Sequence, residues 1–189
     1  MPDDARPDGT TAGTAVPVNP APGLPEAAAD QREWVTMSVN GSPQTGRVDA
    51  RMTLADFLRC ELGLTGTRLG CEHGSCGACT VIVDGDKAVR SCLMLAVQAQ
   101  GLSVETVESL AADGQLNPLQ SAFREFHALQ CGFCTSGFLM SLTARLREGP
   151  ILTEEQAREA LSGNICRCTG YAGMVEAVIS VSRAADGAA

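Results

Sequence analysis

The sequence predicts an α+β protein in two parts, a small mixed-sheet domain followed by an all-α bundle of four short helices. Three observations carry this reading. Apolar alternation punctuated by Asn-Gly and Asp-Gly turns marks strands up to about residue 110. Apolar residues spaced three and four apart mark helices beyond it. A total of 189 residues is enough chain for two small cores.

The division expected is a tail over 1–33, a sheet domain over 34–110 and a helical domain over 111–189. Residues 1–33 are rich in Pro, Ala and Asp and hold no aromatic residue. Such a stretch cannot bury enough surface to offset its ordering entropy, so it is expected to be disordered. It carries acidic residues where a secretory signal is basic, and it lacks an apolar run. A reducing, cytoplasmic compartment is therefore expected, in which clustered thiols serve metals or redox chemistry rather than disulfides.

In the sheet domain Val35, Met37 and Val39 alternate, Asn40-Gly41 is a hairpin turn, and a second strand is expected over about 46–50. Thr53 opens a helix with Asp56 as its capping partner. Leu54, Phe57 and Leu58 share one face, and Gly63 ends the run. The Gly-rich stretch 65–79 admits no regular element. Strands follow at 80–83 and 88–91, joined by the Asp84-Gly85 turn, and at 102–106. In the helical domain Leu119, Phe123, Phe126 and Leu129 mark one helix. Phe138, Leu139, Leu142 and Leu146 mark a second, which Gly149-Pro150 stops. Thr153, with Glu155 and Gln156, caps a third that runs to about Leu161, and Met174, Val175, Val178 and Ile179 mark a fourth.

Composition removes several classes of function. Lys+Arg number 14 against 22 Asp+Glu, a net charge of −8 and a pI near 4.7, which does not provide the phosphate-neutralising surface of a nucleic-acid binder. No apolar stretch approaches the roughly 18 residues of a membrane span. No Gly-rich phosphate loop, zincin helix or nucleophile elbow occurs. The outlying count is nine Cys, low for a disulfide scaffold and high for a chain in a reducing compartment.

Cys71, Cys76, Cys79 and Cys92 follow the spacing C-x4-C-x2-C-x12-C, with the first three in the loop LGCEHGSCGAC. This is the plant-type spacing for a [2Fe–2S] cluster. The glycines let a loop wrap a bulky group and turn its amides toward sulfur. A dithiol at Cys76 and Cys79 would need neither Cys71 nor Cys92. Structural zinc prefers paired knuckles, and a Rieske centre needs a second ligating His. The second group is Cys131, Cys134, Cys166 and Cys168, in two pairs with 31 residues between them, each pair at or just before a predicted helix. A four-thiolate [2Fe–2S] group is a dianion when oxidised and a trianion when reduced. Two helix N-termini converging on it would therefore favour holding and reducing it. Taken by itself this second group fits zinc as well as iron–sulfur.

The motifs LGCEHGSCGACTV, LQCGFCTSGFL and GNICRCTGY occur in this order, and between about Trp34 and Ser182 the chain resembles the small iron–sulfur subunit of the xanthine dehydrogenase and carbon monoxide dehydrogenase family of molybdenum hydroxylases. That resemblance implies a β-grasp ferredoxin-like domain followed by a two-fold four-helix bundle, each with one [2Fe–2S] cluster. It implies that the bundle cluster, on Cys131, Cys134, Cys166 and Cys168, lies nearest the molybdopterin, which Gln130 and Cys168 approach. The ferredoxin-domain cluster would then pass electrons toward FAD. Departures from the family pattern are the long tail, Ser136 where Pro is frequent, and His73-Gly74-Ser75 in a variable stretch.

The chain is thus expected to be a non-catalytic electron-transfer subunit of an oxidoreductase. A large molybdopterin-binding subunit and a medium FAD-binding subunit are the expected partners, with no nucleic acid and no membrane span. A free-standing two-cluster ferredoxin is the alternative. Among the remaining polar residues, Cys60 is expected to be a buried, inert thiol and His73 an exposed loop residue. His127 is expected on a helix surface, Arg167 to offset cluster charge or serve an interface, and Asp84 and Asp86 to serve a turn.

Overall fold

The structure is a computed structural model that describes residues 32–186. The tail expected over 1–33 lies outside these residues apart from its last two, and Glu33 already opens the first strand. Strands β1 (Glu33–Val39), β2 (Ser42–Val48), β3 (Thr80–Val83), β4 (Lys87–Arg90) and β5 (Ser103–Glu105) form one mixed sheet in the order β2-β1-β5-β3-β4. β1 runs parallel to β5, and every other pairing is antiparallel. This is the expected β-grasp arrangement. Asn40 and Gly41 sit at φ 53° and 79°, which matches the twist of the strands they join.

β2 starts four residues earlier than its composition suggests. It is an edge strand, so its register comes from backbone pairing with β1, and Pro43 is tolerated there. Thr53 caps helix α1 (Leu54–Asp56) as expected, accepting from the Asp56 amide at 3.1 Å and donating to its carboxylate at 2.7 Å. The chain then widens into a π-turn over Phe57–Glu61. Phe57 and Leu58 reach the core with Val35, Met37, Val81 and Val104, while Cys60 is carried to the outside. The expectation of a buried Cys60 is therefore wrong.

The four expected helices are present: α2 (Pro118–Glu125), α3 (Thr135–Glu148), α4 (Glu154–Leu161) and α5 (Ala172–Asp186). Leu119, Phe123, Phe138, Leu142, Ile151, Leu161, Met174 and Val178 fill the core between them. Asn117 and Thr153 close capping boxes with Gln120 and Gln156. α2 ends at Glu125, before the apolar spacing does, so Leu129 is exposed and His127 lies in a turn at φ 50° rather than on a helix.

All four residues of β3 are buried because both faces of the strand are covered. Val81 and Val83 face the sheet core, whereas Ile82 packs on Met140 and Ala144 of α3. Arg147 of α3 adds a two-pronged ion pair to Glu105 of β5, at 2.8 and 3.0 Å. Closest of all is the approach of Gly137, in the first turn of α3, to Gly77 of the cysteine loop. A Cβ at Gly137 would run into the Gly77 carbonyl and the Ala78 Cα, both backbone atoms that cannot swing away.

Gly137→Ala should therefore cost about 1–3 kcal/mol, the usual range for overpacking. Chemical denaturation of the purified chain checks this, and an unchanged midpoint would show that the approach is looser than described.

Candidate metal centres

The first cysteine group is built by the loop between α1 and β3 together with the turn after β4. Cys79 and Cys92 are buried; Cys71 and Cys76 are half-buried. Glu72, Gly74 and Gly77 adopt φ of 56°, 85° and 76°, which turns successive amides inward. The Cys76 amide lies 3.3 Å from the Cys71 sulfur. Amides of His73 first, and then of Cys76, draw the Cys71 thiol down to about 6. Burial pushes Cys92 up to about 11, reinforced by the facing Cys79 thiol. Ser91 holds the two stretches together through its hydroxyl bond to the Cys79 carbonyl at 2.6 Å. His73 is exposed, with its Nδ1 2.6 Å from the Cys71 carbonyl.

The second group lies where the loop before α3 meets the loop before α5. Cys134 is the N-cap residue of α3, as expected of a residue at a helix start. Cys166 and Cys168 precede α5 by a full turn, so their donors are loop groups rather than the first turn of α5. The Cys166 sulfur accepts from the Cys168 amide at 3.4 Å, the Thr169 amide at 3.4 Å and the Thr169 hydroxyl at 3.2 Å. Burial works against a Cys166 thiolate, but the Thr169 hydroxyl and these amides outweigh it and the thiol is lowered. Burial pushes Cys134 up to about 12. Cys131 and Cys168 face each other at 3.6 Å on an exposed edge, and Cys131 disfavours a bare thiolate at Cys168. Gln130, next to Cys131, is exposed, and so is Arg167. The Tyr171 hydroxyl, accepting from the Cys166 amide at 2.7 Å, fixes the loop.

No disulfide joins any of the nine cysteines. Among the described residues no group of three or more His, Cys, Asp or Glu is arranged to hold a single metal ion. The thiols come instead in facing pairs: Cys71 with Cys76, Cys79 with Cys92, Cys131 with Cys168 and Cys134 with Cys166. Two pairs per group suit two metal atoms that share a cluster, each taking two thiolates. Beside Cys134, the buried Thr135 and Ser136 hydroxyls have no hydrogen-bond partner, which fits a site that receives a group rich in acceptors.

The two groups are close in the chain's bonding. The Ile165 amide donates to the Cys76 carbonyl at 2.9 Å, so one hydrogen bond links a residue of the first group to the residue before Cys166. Spacing alone gave no sign of this contact, because residues 76 and 165 belong to different motifs.

Comparison with known proteins agrees with this picture. Residues 37–107 match the 2Fe-2S iron-sulfur cluster binding domain family, and residues 106–179 match the [2Fe-2S] binding domain family. The small subunit of nicotine 6-hydroxylase from Paenarthrobacter nicotinovorans is 61% identical over 148 residues, spanning 78% of this chain and 88% of that one. The chain belongs to the small iron–sulfur subunits of molybdenum hydroxylases. A second member, the gamma subunit of caffeine dehydrogenase from Pseudomonas sp. (strain CBB1), is 56% identical over 151 residues, 78% of this chain and 90% of that one. The crystal structure of quinoline 2-oxidoreductase from Pseudomonas putida 86 superposes with a TM-score of 0.79 at 49% identity, covering 83% of this chain and 98% of the other. Both domains of this iron–sulfur subunit are therefore [2Fe–2S]-binding domains, and zinc is set aside for the second group.

Cys60 stands apart from both groups and is exposed. Cys60→Ser should shift stability by no more than about 0.5 kcal/mol, as surface substitutions do. Denaturant midpoints compared with wild type test this, and a larger loss would mean that the thiol is packed after all.

Proposed function

We propose that this chain is the electron-transfer subunit of a multi-subunit molybdenum hydroxylase, with Cys71, Cys76, Cys79 and Cys92 holding one [2Fe–2S] cluster and Cys131, Cys134, Cys166 and Cys168 the other. The single observation that carries the reading is the pairing of eight thiols into two sets joined by the bond from the Ile165 amide to the Cys76 carbonyl. When bound, each cluster takes up and releases one electron at a time. The protein's part is to hold sulfur, exclude water and aim N–H groups at developing negative charge. Such hydrogen bonds favour the reduced, more negative state. The loop amides of His73, Ser75 and Cys76 do this at Cys71, and those of Cys168 and Thr169 do it at Cys166.

Exposure supports a direction for the relay. Cys131 and Cys168 lie on the surface beside exposed Gln130, and Phe133 and Ile165, each next in sequence to a cysteine of this group, are 46% and 55% exposed. A free carrier would leave these thiolates and apolar side chains to solvent, whereas a subunit covers them. This edge is the face for a large molybdopterin-binding chain, with Gln130 and Cys168 approaching the pterin. The Glu72–Ser75 rim of the other loop faces a flavoprotein chain or an external acceptor. The chain itself turns over no substrate. Among the described residues no helix is long and apolar enough to cross a membrane, and the cytoplasm is the proposed location because it keeps the ligand thiols reduced.

The purified chain should contain about four iron and four acid-labile sulfide, with two distinct paramagnetic signals on reduction. Cys76→Ser should remove or distort only one signal, and Cys134→Ser only the other. A colourless, zinc-loaded chain that stays so after anaerobic reconstitution would contradict the ligand assignment. In the assembled enzyme Gln130→Ala should leave both clusters in place and slow reduction of the bundle cluster by substrate. Stopped-flow reduction at the wild-type rate would remove the pterin role from Gln130.

A further inference from the structure

Asn164 is buried at 3% exposure, two residues before Cys166, and each of its polar groups is engaged. Its Nδ2 donates to the Gly77 carbonyl at 2.9 Å, and its Oδ1 accepts from the Ser141 hydroxyl of α3 at 2.8 Å. Its amide donates to the Leu161 carbonyl at 3.2 Å, and its carbonyl accepts from the Tyr171 hydroxyl at 3.5 Å. One side chain thus ties the first cysteine loop, α3 and the loop before α5. The next residue, Ile165, bonds the Cys76 carbonyl. Two consecutive residues therefore grip two consecutive carbonyls of the other domain.

The grip is braced from the sheet side. Thr80 donates its hydroxyl to the same Gly77 carbonyl at 2.6 Å, and Arg90 joins the Thr80 hydroxyl to the Gly163 carbonyl. A Cβ at Gly77 would collide with the Asn164 amide, so the glycine also makes room for the contact. A lone backbone bond between two loops opens readily, whereas one flanked by a buried amide bonded through both its nitrogen and its oxygen is held closed. None of the hydrogen bonds of Asn164 goes to a thiol, so any effect it has on electron flow is exerted through position.

Resting on the ligand assignment above, we propose that Asn164 is a positioning residue for electron passage between the two clusters: it holds the bond from the Ile165 amide to the Cys76 carbonyl closed. Asn164→Ala and Ser141→Ala, made in the full chain, test this after iron and sulfide have been counted. The reduced chain is read by pulsed EPR for the magnetic interaction between clusters. The assembled enzyme is read by stopped flow for the reduction of each cluster. Loaded Asn164→Ala should keep both individual signals, weaken the interaction between them, and slow reduction of the ferredoxin-domain cluster several-fold while the bundle cluster keeps its wild-type rate. Ser141→Ala should show a smaller change of the same kind. An iron-free wild-type chain would overturn the ligand assignment and this proposal with it. Wild-type interaction and rates in a loaded Asn164→Ala variant would overturn this proposal alone, as would equal slowing of both clusters. If Asn164→Ala does not take up iron, loaded Ser141→Ala decides by the same two readings.

Discussion

The backbone contact between Gly77 and Gly137 is the constraint on which the rest of the structure depends. It brings the first turn of α3 onto the cysteine loop with no side chain between them. Once α3 is seated, its length lies across β3, which explains why Ile82, Met140 and Ala144 form a small core of their own. The same seating places Ser141 where it can orient Asn164, and Arg147 where it meets Glu105. A domain boundary is usually a mobile, polar interface. Here it is backbone-tight, with Gly137 set directly against Gly77 and Ala78.

Each cysteine group solves the same electrostatic problem with a different exposure. Burying a bare thiolate is costly, and Cys92 and Cys134 show the cost as raised thiols. A cluster held by these cysteines would replace the proton and spread the charge over iron and sulfide. Inward-turned amides then supply partial positive charge without a cation that would itself need solvation. The first group keeps two of its cysteines buried, whereas the second leaves Cys131 and Cys168 exposed. That asymmetry suits the proposed relay between two different neighbours.

Much of this was legible in the sequence because it is local. Asn40-Gly41, the Thr53–Asp56 cap, the Thr153–Gln156 box and the cysteine spacings each depend on residues a few positions apart. What escaped depends on distant partners or on where a helix stops. β2 borrows its register from β1, so its polar sequence hid its length. A π-turn after α1 rotated Cys60 outward, against the expectation of a buried thiol. α2 ended at Glu125, which left His127 in a turn and Leu129 exposed. The hydrogen bonds of Asn164 join residues 87 positions apart to Gly77 and 23 apart to Ser141, and a single sequence carries no trace of them.

An anaerobic reductive titration of the full-length chain, followed by visible absorption, tests the central claim most directly, since it counts electrons rather than metal. Two clusters in one chain predict an uptake of two electrons in one-electron steps, with bleaching at each. Uptake of one electron or none by a chain with full iron content would contradict the account of a two-cluster relay.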